Sequence, residues 1–161
     1  MAGVMSDMKS DVLFVNLMRL LNSSGSVDIR KRIIKSMNGP YSEVALAFMG
    51  KRLRDESADV CTLIFNQLIA SHTQLKDFPS PETRMLVLTE GLCNPNPMVR
   101  DACIEFLTPT ILENQDNLAH VFSILNCKLT FTNQYFARIP CLLVIAIHKI
   151  LPSEMQIAKY L

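Results

Sequence analysis

Cations, cysteines and histidines are the side chains of this sequence whose type and spacing could do chemistry. Between Arg30 and Arg54 seven residues are basic, Arg30, Lys31, Arg32, Lys35, Lys51, Arg52 and Arg54, against Glu43 alone, although the whole chain has a net charge of only +1. Clustered positive charge without interleaved aromatics or a recognition-helix motif suits contact with a phosphate backbone, not base reading. A solvated basic face, or contact with an acidic partner protein, would use the same residues. Cys61, Cys93, Cys103, Cys127 and Cys141 are odd in number, contain no Cys-x-x-Cys pair and fall mostly in apolar patterns. That usage predicts core packing in a reducing compartment, not disulfides or zinc, since His72, His120 and His148 each stand alone. No Gly-x-Ser-x-Gly elbow, phosphate-cradling glycine loop, His-Glu-x-x-His or spaced carboxylate pair is present. A non-catalytic chain with no cofactor, no metal and no small-molecule substrate is the expectation.

What must position those cations is a repeated helical pattern. Three stretches open at Ile29-Arg30, Val60-Cys61 and Val99-Arg100 and then place apolar residues four, five and eight positions on. These are Ile33, Ile34 and Met37; Ile64, Phe65 and Leu68; and Cys103, Ile104 and Leu107. Such spacing puts side chains on one face of a helix, which must be buried against a neighbour. Leu21, Leu53 and Leu92 precede the openings, separated from them by Asn22-Ser23-Ser24-Gly25-Ser26, Asp55-Glu56-Ser57 and Asn94-Pro95-Asn96-Pro97, which are rich in capping and turn residues. The unit is helix, tight turn, helix.

The openings lie 31 and 39 residues apart, close to the ~40 residues of HEAT or armadillo units. The predicted fold class is therefore all-α, an α-solenoid of about four helical hairpins over residues 1–161, with an ordinary helical bundle as the alternative. Helices are predicted at 11–21 with 27–38, 41–53 with 58–71, and 83–92, led in by Pro81-Glu82, with 98–107. A break or kink is expected at Pro109, and a polar loop at 72–80. A less regular pair, 117–125 with 135–151, and a possible start at 154–161 complete the map. The apolar run 139–147 reads as a buried helix beginning near Pro140, or as a strand from its β-branched content, and is too short to span a bilayer. With 49% hydrophobic residues and a mean hydropathy of +0.21, the chain is apolar enough to suggest an open-ended segment of a longer array, whose missing neighbours would cover its ends.

A succession of motifs adds a family resemblance. Lys51-Arg52-Leu53-Arg54-Asp55-Glu56-Ser57-Ala58-Asp59-Val60, then Arg84 through Leu92 with its Gly91-Leu92, then Met98-Val99-Arg100-Asp101-Ala102, resembles the HEAT-repeat region of condensin subunit 3 over residues 27–125. Cys61 stands where that family has arginine, and Asn94-Pro95 replaces its acidic turn. The resemblance implies a non-ATPase subunit that binds a kleisin, joins SMC ATPases through it and grips double-stranded DNA in a basic groove during mitotic chromosome condensation. The location it implies is the nucleus and chromosomes, with a cytoplasmic pool. Of the seven cations only Lys51, Arg52 and Arg54 fall in the matched motif. A protein-only HEAT or armadillo scaffold for transport, coats or signalling is the alternative.

Overall fold

In a computed structural model, residues 2–37, 39–114, 123 and 134–151 are described, and these are all-helical with no strand among them. The helices are α1 (Ala2–Ser23), α2 (Val27–Ser36), α3 (Glu43–Arg52), α4 (Ala58–Ala70), α5 (Pro81–Leu92), α6 (Pro97–Glu113) and α7 (Gln134–Ile150). Four of the starts, those of α2, α3, α5 and α6, have a local cause. Ser26, Ser42 and Ser80 accept from the backbone N–H three residues on, Asn96 accepts from Met98, and Pro81 and Pro97 open α5 and α6 with φ already set. The α4 C-terminus closes on His72, whose φ of 55° is the left-handed value that lets Thr73 N–H reach Leu68 O at 3.0 Å.

Helices α2, α4 and α6 pack side by side in chain order, and α3, α5 and α7 pack likewise, with α5 and α7 lying on α6 and α1 on α2. The sequence-derived stripes form the seam. Eight of the nine stripe residues and the preceding Leu21, Leu53 and Leu92 are buried, and Ile104 is half-buried. Phe106 packs against Phe65 with ring centroids 5.8 Å apart and meets Phe78 edge-on at 6.3 Å.

Four expectations are corrected. First, Pro109 does not end α6, which runs on to Glu113. Proline removes one backbone donor, but Pro109 and Glu105 lie on the exposed face, where water can satisfy the freed carbonyl of Glu105. Second, α7 is a helix over Gln134–Ile150, as predicted for 135–151, and so starts ahead of Pro140 and is not the alternative strand. It is two-faced, with Ile139, Leu143, Ala146 and Ile147 buried and Val144 and Ile145 exposed. Third, segment 72–80 is not simply polar, since Leu75 and Phe78 are fully buried around a short 3-10 turn, Leu75–Asp77. Fourth, Ile29 is 50% exposed whereas Val60 and Val99 are fully buried. The predicted segments 117–125, Ser123 excepted, and 154–161 lie outside the described residues.

Gly91 shows how tightly the layers meet. A Cβ there would stand 2.8 Å from both Cys103 Cβ and Phe65 Cζ, and closer still to Cys103 Sγ, and both neighbours are buried. Gly91→Ala is therefore expected to destabilise by about 1–3 kcal/mol through overpacking, despite a helix-propensity gain of about 1 kcal/mol. Denaturant unfolding checks this, and an unchanged or raised midpoint would show that α5 can move away from α6.

Candidate functional site

The basic cluster is built on the joint between the first two hairpins, and its centre is an acid absent from the predicted set. Asp55, in the α3–α4 turn, has its side chain 1% exposed and accepts from Arg30 Nη2 at 2.9 Å and from Ser57 N–H at 3.0 Å. Its other oxygen accepts from Arg52 Nη2. Burial pushes the Asp55 carboxyl up, but the bonds from Ser57, Arg30 and Arg52 outweigh it and hold the group below the usual carboxylate range. Arg30 is itself 3% exposed and also reaches Ser24 O at 3.0 Å. Arg52 completes the knot by donating to Asn22 Oδ1 at 3.5 Å. The knot thus joins the α1–α2 turn, α2, the end of α3 and the α3–α4 turn.

Around it the predicted DNA-contact residues divide. Lys31 pairs with Asp59 at 3.2 Å, and Arg54 pairs with Glu90 at 2.8 Å, tying the α3–α4 turn to α5. Arg32, Lys35 and Lys51 are exposed and have no ion pair among the described residues. The cluster is therefore not one free basic face. Arg30 lies too deep to present charge to a phosphate, Lys31, Arg52 and Arg54 have carboxylate partners, and only Arg32, Lys35 and Lys51 project unneutralised charge.

A second feature was missed in the sequence although its spacing was visible there. In α2, α4, α5 and α6 the side chain at the fourth helical position reaches back to the carbonyl two residues before the cap. Arg30 donates to Ser24 O, Cys61 Sγ to Asp55 O at 3.4 Å, Arg84 Nε to Phe78 O at 3.1 Å and Arg100 Nη1 to Asn94 O at 2.7 Å. The signal is Ser or Asn followed four residues later by a donor, as in Ser26/Arg30, Ser57/Cys61, Ser80/Arg84 and Asn96/Arg100. Cys61, which departs from the resembled family's arginine, performs the same task and also donates to Leu53 O at 3.2 Å. Burial and the neighbouring Asp55 charge push its thiol up to about 11, so it keeps the proton that the bond requires. The expectation that cysteines are core residues holds for Cys61 and Cys103 but not for Cys93 and Cys141, which are exposed; Cys127 lies outside the described residues.

Among the described residues no group of three His, Cys, Asp or Glu could hold a metal, and no helix is long and apolar enough to cross a membrane. Comparison of the chain with protein-family models, with curated proteins and with solved structures returns no match.

Proposed function

We propose that this chain is a HEAT-like α-solenoid segment of a non-catalytic, condensin-type subunit, which binds a kleisin and, through it, SMC ATPases, and which holds double-stranded DNA non-specifically. The observation carrying the solenoid part is the in-order packing of α2, α4 and α6 and of α3, α5 and α7. Its fit to the resembled family comes from where the shared motifs sit. Arg52, Arg54 and Asp55 join consecutive hairpins, Gly91 leaves room for Cys103 and Phe65 where a Cβ would clash, and Arg100 ties its own turn. DNA contact falls to Arg32, Lys35 and Lys51, whose charge is not met by a carboxylate among the described residues. Chromosomes in the nucleus are the proposed location.

The test is binding of the chain to duplex DNA of unrelated sequences across a salt series. Affinity is expected to be indifferent to sequence and to fall steeply with salt. Arg32→Gln, Lys35→Gln and Lys51→Gln together should weaken it and flatten the log–log slope by roughly 2 to 3, since each lost phosphate contact removes about 0.9. Superimposable curves for the triple variant and the parent would refute the DNA assignment. A protein-only scaffold is the second reading, favoured by the four cations already engaged in internal ion pairs, Arg30, Lys31, Arg52 and Arg54; it predicts no duplex binding even at low salt.

A further inference from the structure

Arg30 and Arg100 hold the same place in their hairpins, the fourth position of the second helix, but they do not end on the same partners. Arg30 donates through Nη1 to Ser24 O at 3.0 Å and through Nη2 to the Asp55 carboxylate at 2.9 Å. Arg100 gives Nη1 to Asn94 O at 2.7 Å and Pro95 O at 2.8 Å, while its Nε and Nη2 meet no carboxylate among the described residues. Those two N–H groups are a parallel pair of donors that matches the two oxygens of a carboxylate. Arg100 lines a cleft of about 490 Å³ between the α5–α6 turn and α7, a volume within the ~300–1,000 Å³ of small-molecule sites. Leu92, Pro95 and Leu142 give the cleft apolar walls, and no acid lines it among the described residues. Asn94, also in the lining, is spent on its own turn, with Oδ1 accepting from Asn96 N–H at 3.0 Å and Nδ2 donating to Glu90 O at 3.1 Å. The turn is braced, and it holds Arg100 in place before a ligand arrives.

We infer that this cleft binds a small aliphatic monocarboxylate, whose carboxylate pairs with Arg100 as Asp55 pairs with Arg30 and whose alkyl chain lies against Leu92, Pro95 and Leu142. The pairing is reversible, and no covalent bond is made or broken. Charge and apolar contact are both required. A neutral amide of the same length keeps the alkyl contact but loses the charge-assisted hydrogen bonds, and a bare inorganic anion keeps the charge but buries no chain. The site uses none of Arg32, Lys35 and Lys51, so it stands or falls independently of duplex binding.

The test titrates the isotope-labelled full chain with octanoate and, separately, with its neutral counterpart octanamide, following backbone amide shifts by NMR. Octanoate is expected to bind saturably, with shifts confined to Leu92, Asn94, Arg100, Leu142 and their neighbours. Its affinity should exceed that of octanamide by about tenfold or more, the worth of a charge-assisted pair. Arg100→Gln should bring octanoate down to the level of octanamide. Because that change also releases the carbonyls of the α5–α6 turn, a second variant leaves the turn intact. Cys141 is exposed on α7 and lines the same cleft, so Cys141→Asp should weaken octanoate by repulsion while Cys141→Asn leaves it unchanged. Equal affinities for octanoate and octanamide, shifts centred elsewhere, no saturation into the millimolar range, or undiminished octanoate binding by Cys141→Asp would overturn the proposal.

Discussion

Replacing Leu107 with aspartate is expected to abolish cooperative folding at neutral pH. Leu107 is 1% exposed in the middle of α6, the helix against which α4, α5 and α7 all pack. Removing the leucine alone would cost about 2–5 kcal/mol through lost burial and the cavity it leaves. A carboxylate in its place adds several kcal/mol more, because it would be buried within an apolar core cluster. The total rivals the whole ~5–15 kcal/mol that holds a domain of this size. Circular dichroism should show a lost or broad thermal transition for Leu107→Asp, while Leu107→Ala keeps a cooperative one at lower temperature. If Leu107→Asp melted near the parent, the apolar stripe would not be the seam between helices.

That stripe was legible because burial acts on residue type and period together, and both are written in the sequence. Ile33, Ile34, Ile64, Phe65 and Leu68 had nowhere else to go once their segments were helical. Proline was misleading for a physical reason: Pro109 costs α6 one bond, yet Pro109 and Glu105 are exposed residues, and the packing of Phe106, Leu107, Thr110 and Ile111 carries the helix through. The basic cluster illustrates the limit of charge counting. Sequence shows that Arg30 and Arg52 are cations, but whether they face water depends on where a later turn places Asp55, and that is a tertiary fact. Counting acids only between Arg30 and Arg54 excluded Asp55, Asp59 and Glu90, the carboxylates that neutralise the cluster. The donor at the fourth helical position was visible as a spacing, but its purpose needed the turn carbonyls, whose direction no side-chain pattern encodes.

Asp55→Ala is expected to be the most damaging change of a charged residue. It leaves Arg30, which is 3% exposed, with only the solvent-exposed Glu56 carboxylate at 3.5 Å to pair with, takes a partner from Arg52, and removes the acceptor of Ser57 N–H just before α4. Arg30 Nε and Arg52 Nε are already buried without hydrogen-bond partners, so attraction to the buried Asp55 carboxylate, with exposed Glu56 a second partner for Arg30, offsets their desolvation. Breaking a buried pair from one side costs about 3–5 kcal/mol. Arg54→Ala, which removes a solvent-exposed pair, should cost about 0–1 kcal/mol. If stranded charge is the cause, the double variant Arg30→Met with Asp55→Leu should be markedly more stable than Asp55→Ala, although Ser24 O, Arg52 and Ser57 N–H still lose partners. The pH dependence follows from the lowered Asp55 carboxyl. Protons bind the unfolded chain at about pH 4 but the folded one only lower, so this contribution is present above about pH 4 and lost as pH falls through the folded value. The stability gap between parent and Asp55→Ala should accordingly be flat from about pH 5 to 8 and close in stronger acid. Denaturant unfolding of the parent, the two single variants and the double variant at neutral and acid pH measures every one of these terms. A gap that persisted unchanged into strong acid would mean that the Asp55 carboxylate charge does not hold the first two hairpins together.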